Sequence, residues 1–135
     1  MNALLDWLTF IVVMLWGVFL VGLGLTSLFA PEQAKRFLLG FAQTAARHYL
    51  EMAGRMVVGG ALLVQAPKLE FSLALTVLGW MLVVTTVALL IIPWQWHRRF
   101  ADRTVPAATR HMALIGIAPI LLGALVITLL IRRFL

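Results

Sequence analysis

The residues best placed for chemistry lie in one run, Arg47-His48-Tyr49-Leu50-Glu51-Met52-Ala53-Gly54-Arg55, at the mouth of an otherwise apolar segment. At about 100° per residue, His48, Glu51 and Arg55 fall within roughly 60° of one another on a helix and share one face. An imidazole, a carboxylate and a guanidinium on one face, in apolar surroundings, are the ingredients of a ligand or proton site. Such groups are costly in a membrane and usually turn toward a protein interior or a cavity. The same spacing also suits simple anchoring: Glu51 precedes Arg55 by four residues in the first turn, which favours both the ion pair and the helix dipole. A further arrangement, haem held axially by His48 and His111 with Arg47 and Arg110 near its propionates, needs these two positions to face each other.

Other chemistries find no residues to carry them. The chain has no cysteine, which removes disulfides, thiolate nucleophiles and Cys-based metal sites. It lacks paired carboxylates, a phosphate-cradling glycine loop and a zinc-binding HExxH helix, so a non-enzymatic protein with no metal is expected.

The elements that must position these residues follow from composition. Of the 135 residues, 63% are hydrophobic and 12% charged, against about 45–50% and about 25% in soluble domains. An all-α integral membrane protein is expected, with room for about four spans of roughly 20 residues each. The formal charge of +6 does not point to nucleic acid, because the basic residues cluster beside apolar runs, where they meet lipid headgroups.

The four expected spans run from about 7 to 29, 48 to 66, 71 to 92 and 111 to 131. Asp6 stands where a signal peptide would be positive, and Leu28 spoils a small-x-small cleavage site before Pro31, so the first span is read as retained. The second is the weakest. Its Leu and Val residues contribute about −2 to −3.5 kcal/mol to insertion, while one Arg at mid-membrane costs about +2.5 to +3.5. Thr85 and Thr86 in the third span can bond back to their own helix, and Pro119 is expected to kink the fourth.

Between the spans lie two amphipathic connectors. The first, after Pro31, sets Phe37, Leu38 and Phe41 against Lys35 and Arg36. The second follows Pro93. Trp94, Trp96, His97, Arg98 and Arg99, with Arg47, Arg110 and His111 at the connector ends, are expected to anchor at the interface or hold lipid headgroups.

The two halves read as copies. At an offset of 62, Gly17 matches Gly79, Pro31 matches Pro93 and Arg36 matches Arg98; after one inserted residue, Arg47-His48 matches Arg110-His111 and Gly60-Ala61-Leu62 matches Gly123-Ala124-Leu125. The expected fold is therefore two tandem parallel hairpin repeats, 1–66 and 67–135, related by a pseudo-twofold axis along the membrane normal and forming one membrane domain. The small residues Ala53 and Gly60 match Gly116 and Gly123, which predicts a close contact between the second and fourth spans. Glu51 and Arg55 match Leu114 and Ala118, so the ion pair exists in one copy only.

Lys35, Arg36, Arg47, Arg98, Arg99, Arg103 and Arg110 lie in the connectors, against Lys68, Arg132 and Arg133 on the other side. The positive-inside rule then places both connectors in the cytoplasm and both termini outside. The pattern as a whole is that of a small bacterial inner-membrane protein. Two function classes follow: a scaffold or accessory subunit that binds a membrane-protein partner or itself, and a small transporter or conduit working through Glu51 and Arg55. Lipid or quinone binding lies between them.

Overall fold

The computed structural model describes residues 2–40, 44–108 and 112–135, and of these the side chains of all but 97, 105–108 and 112–114. The described chain is helical throughout apart from short joints. In order come α1 (Ala3–Phe29), α2 (Pro31–Gly40), α3 (Ala45–Gln65), a 3-10 turn (Ala66–Lys68), α4 (Ser72–Ile91), α5 (Trp94–Ala108) and α6 (Met112–Arg132).

Local sequence sets these boundaries. The Asn2 side chain accepts a hydrogen bond from the Leu4 amide and opens α1, while Thr44 accepts one from the Arg47 amide and opens α3; each satisfies a first-turn donor that has no intrahelical partner. Pro31 occupies the first position of α2, where its missing N–H costs nothing. Ile92, held extended by the following Pro93, ends α4. Phe71 enters α4 through a left-handed conformation, φ 59°, the only positive φ at a non-glycine residue among those described.

Three of these helices are long and apolar enough to cross a membrane: α1, α4 and α6 from Ile115 onward. The expectation of four apolar spans is corrected here. Helix α3 has the length, with 21 residues, or about 32 Å at 1.5 Å per residue. It lacks the hydropathy, because Arg47, His48, Glu51, Arg55 and Gln65 interrupt a sequence further diluted by Gly54, Gly59 and Gly60.

Two glycine-lined antiparallel crossings hold the assembly. In the first, α1 meets α6: a Cβ added at Gly24 would lie 2.5 Å from the Gly116 carbonyl oxygen and 2.4 Å from Ile120, and one added at Gly123 would lie 2.6 Å from the Gly17 carbonyl oxygen. In the second, α3 meets α4, where a Cβ at Gly59 would sit 3.3 Å from the Gly79 carbonyl oxygen and 2.9 Å from Val83. Helix α1 also lies against α3, so neighbours run α6, α1, α3, α4. Within this layer Val13, Ala61, Leu62, Val126 and Leu130 form a buried core, joined by Leu69, Leu75 and Leu129.

The predicted contact between the second and fourth spans is also corrected. Gly116 and Gly123 do sit at a close crossing, but their partner is α1, because Gly17 and Gly24 repeat at the same seven-residue spacing and present a matching small stripe. On α3, Ala53 is exposed and a Cβ at Gly60 would meet nothing within 4 Å. It is Gly59, one residue earlier and so about 100° around the helix, that approaches a neighbour.

The connectors α2 and α5 touch each other at one end of the molecule. Both chain ends and the turn at Lys68 gather at the other, where Arg133 and Lys68 reach Asp6 and Arg132 reaches Glu70 at 3.0 Å.

Candidate functional site

Thr44 fixes the start of α3, and two to three turns later that helix carries Glu51 and Arg55 to the line where it meets α4. Arg55 is held by its neighbour. Its Nε donates to Thr86 Oγ1 at 3.1 Å and its Nη2 to Thr85 Oγ1 at 2.7 Å. Both threonine hydroxyls in turn donate to carbonyls one turn back, Met81 and Leu82, which orients their lone pairs toward the guanidinium. Two hydrogen bonds fix the plane of the group. Glu51 lies 3.7 Å from Nη1, close enough for Coulombic attraction and too far for a hydrogen bond.

The structure thus brings Glu51 and Arg55 together but sets His48 apart. The imidazole is 1% exposed and lies edge-on to Tyr49, with ring centroids 5.1 Å apart. It does not line the groove that Glu51 and Arg55 share. The haem arrangement also needs His111 and Arg110, and these lie outside the described residues.

That groove has a volume of about 670 Å³ and runs between α1, α2 and α3. Leu15, Trp16 and Phe19 form one wall and Leu50, Ala53, Gly54 and Val57 the other, with Phe37 and Leu38 of α2 at one end. Phe19 and Phe37 touch there, centroids 5.9 Å apart. The polar side chains on its surface are Glu51 and Arg55, 24% and 30% exposed. An acid and a base at the side of an apolar slot can hold a polar atom of an amphiphile by hydrogen bonding. Among the described residues no three His, Asp or Glu side chains converge as metal ligands would.

A second polar cluster, at the opposite end of the molecule, escaped the sequence reading. Asp6 Oδ2 accepts from Arg133 Nη2 at 2.6 Å, and Oδ1 accepts from Arg133 Nη1 at 3.1 Å, from Gln65 Nε2 at 3.1 Å and from Lys68. Gln65, fully buried, also donates to Thr9 Oγ1 at 2.8 Å and accepts from Arg133 Nη1 at 2.7 Å. Four segments therefore converge on one carboxylate: α1, the end of α3, the 3-10 turn and the end of α6. Phe134 closes it over, stacked on Trp7 at 5.5 Å and edge-on to Phe10 at 5.1 Å. The available signal was complementary charge: Asp6 on the side where Lys68 and Arg133 emerge from the apolar runs.

The residues expected to anchor at the interface lie along the connector end. Trp96, Arg98, Arg99 and Phe100 are exposed on α5, and Arg98 pairs loosely with Asp102 at 4.0 Å. Trp94 is partly covered, and Arg47 reaches the Gly40 carbonyl at 3.5 Å. The side chains of His97, Arg110 and His111 are outside the described set. No family model, curated protein or solved structure matches this chain.

Proposed function

We propose that this chain is a four-helix integral membrane protein of two tandem hairpin repeats, acting without catalysis as a scaffold or accessory subunit of a membrane complex or homo-oligomer. The observation that carries this reading is how its polar groups are used. Arg55 bonds α3 to α4, and Gln65 and Asp6 bond α3 to α1 and α6. Between these clusters, about 15 Å apart along α3, lie the fully buried Val13, Leu62, Val126 and Leu130. Polar side chains that tie helices together on either side of an apolar layer suit a rigid assembly better than a passage for ions.

Membrane insertion of α3 draws support from connectivity. If only α1, α4 and α6 crossed, the two chain ends would emerge on opposite sides, yet Arg133 meets Asp6 at 2.6 Å. A crossing α3 reconciles the two. Its polar residues are tolerable where neighbours hold them, Arg55 by Thr85 and Thr86 and Gln65 by Thr9, Asp6 and Arg133. The duplication draws support from the crossings only at the level of whole helices: α1 meets α6 and α4 meets α3, so the first span of each repeat meets the second span of the other. The register differs by one residue, since Gly123 corresponds to Gly60 while Gly59 meets Gly79, and the contact of α1 with α3 is not matched by an equal one between α4 and α6. The basic connectors favour a cytoplasmic position in a bacterial inner membrane, with both termini outside.

The outward stripe of α4, with Leu73, Val77, Trp80, Met81 and Val84 all exposed, is the face offered to lipid or to another subunit. Native mass spectrometry of a gentle extract tests the reading. A stoichiometric partner or a defined homo-oligomer is expected; a free monomer throughout, with vesicles that conduct ions through wild type and not through Glu51→Gln, would replace it with the transport reading.

A further inference from the structure

The two polar clusters are not equally complete. Every donor and acceptor that Asp6 and Gln65 turn toward each other is matched, whereas the Glu51 carboxylate and Nη1 of Arg55 make no hydrogen bond among the described residues. These are charged groups, at the wall of an apolar groove, with hydrogen-bonding capacity left over. In apolar surroundings such capacity is filled whenever a suitable atom is within reach.

The geometry selects the kind of atom. A point about 2.8 Å from both Nη1 and a Glu51 oxygen, an ordinary hydrogen-bond length, exists because the two are 3.7 Å apart. An atom at that point must accept from the guanidinium and donate to the carboxylate. A hydroxyl does both, a carbonyl or ether only accepts, and an ammonium only donates. Charge narrows it further: the pair is neutral as it stands, so an anionic headgroup would face Glu51 and a cationic one Arg55. The remaining groove surface is aliphatic and aromatic, and its volume suits a small apolar body.

We propose that this groove binds an uncharged amphiphile bearing a hydroxyl, with the hydroxyl bridging Glu51 and Arg55 and the apolar body lying along Leu15, Trp16 and Phe19. A glycerolipid alcohol and a quinol both have this chemistry. The site shares the membrane placement proposed above and does not depend on a subunit partner, which native mass spectrometry reads separately.

The full chain in phosphatidylcholine nanodiscs, titrated with dioleoylglycerol and with decylubiquinol, tests the site by tryptophan fluorescence, with Trp16→Phe identifying the responding ring. Binding by either probe supports the class and names its source. Each is expected to bind about tenfold more tightly than its capped counterpart, the methyl ether of dioleoylglycerol or decylubiquinone, that being the factor for one lost hydrogen bond to a charged group. Glu51→Ala should erase this preference while Thr85 and Thr86 still hold Arg55. Gly54→Leu, at a groove position where a Cβ meets nothing within 4 Å, should keep the fold and block all binding. Equal affinity for capped and free probes, stronger binding of dioleoyl phosphatidic acid, binding that survives Gly54→Leu, or no binding of either hydroxylated probe would overturn the proposal.

Discussion

The cluster around Asp6 and the pair formed by Glu51 and Arg55 are built from similar residues and do different things. At Asp6, one carboxylate takes hydrogen bonds from Arg133, Lys68 and Gln65 and draws four segments together. At Arg55, the guanidinium bonds only α4, and its carboxylate partner stays 3.7 Å away at the edge of an open groove. A cluster whose hydrogen bonds are closed resists change and fixes geometry. One left partly open supports the fold less and keeps atoms free for a ligand. The glycine crossings show a parallel difference. Between α1 and α6, Gly17 and Gly24 face Gly123 and Gly116, and the polar link of Arg133 to Asp6 lies away at the chain ends, while the α3 to α4 crossing has a looser glycine contact and the Arg55 bonds beside it.

Breaking the tighter member of each pair should cost most. Gly24→Val puts carbon within 2.5 Å of the Gly116 backbone, which cannot rotate away, so the cost should lie at the upper end of the roughly 1–3 kcal/mol of overpacking; a large fall in Tm is expected, while Gly60→Ala, facing open space, should leave Tm level or raise it. Gln65→Ala comes next. It removes one of the two acceptors of Arg133 Nη1 and the donor to the Thr9 hydroxyl at a buried site, a loss of about 2–3 kcal/mol, and deuterium exchange should rise at both chain ends together. Thr86→Val removes one acceptor of Arg55 and should cost about 1 kcal/mol, with faster exchange along α4 near residue 86 and little change at Asp6. Glu51→Gln should be the mildest, within about 0.5 kcal/mol, since the pair is partly exposed and lacks a hydrogen bond. A Glu51→Gln protein as unstable as Gln65→Ala would erase the distinction between the clusters.

Much of the helical layout was legible because its punctuation is local. Pro31 and Pro93 each act on their own backbone or the next turn, so the expected spans at 7–29, 48–66, 71–92 and 111–131 fall within a few residues of the observed helices. Pairing was less legible. A seven-residue glycine spacing shows which face of a helix can approach another, but not which helix will cover it. The spacing accordingly points Gly116 and Gly123 to α3, whereas they meet α1, and points to Gly60, whereas its neighbour Gly59 makes the contact. The Asp6 cluster is hidden for a related reason: its donors stand 59 to 127 residues from Asp6, and each charge alone resembles an ordinary solvated group at a helix end. Glu51 and Arg55 were found because their pairing needs only one turn of helix. The threonines that complete Arg55 were visible only as back-bonding residues of α4.

The proposed membrane placement depends most on α3 crossing the bilayer with Arg55 and Gln65 held by its neighbours. Because the chain has no cysteine, single cysteines at Glu70, Leu135, Lys35 and Arg103 can be labelled in intact cells with a membrane-impermeant maleimide. Glu70 and Leu135 are expected to react from outside while Lys35 and Arg103 are protected until the membrane is opened. Reaction of Lys35, Glu70 and Leu135 from one and the same side, with Arg103 labelled only from the other, would contradict it.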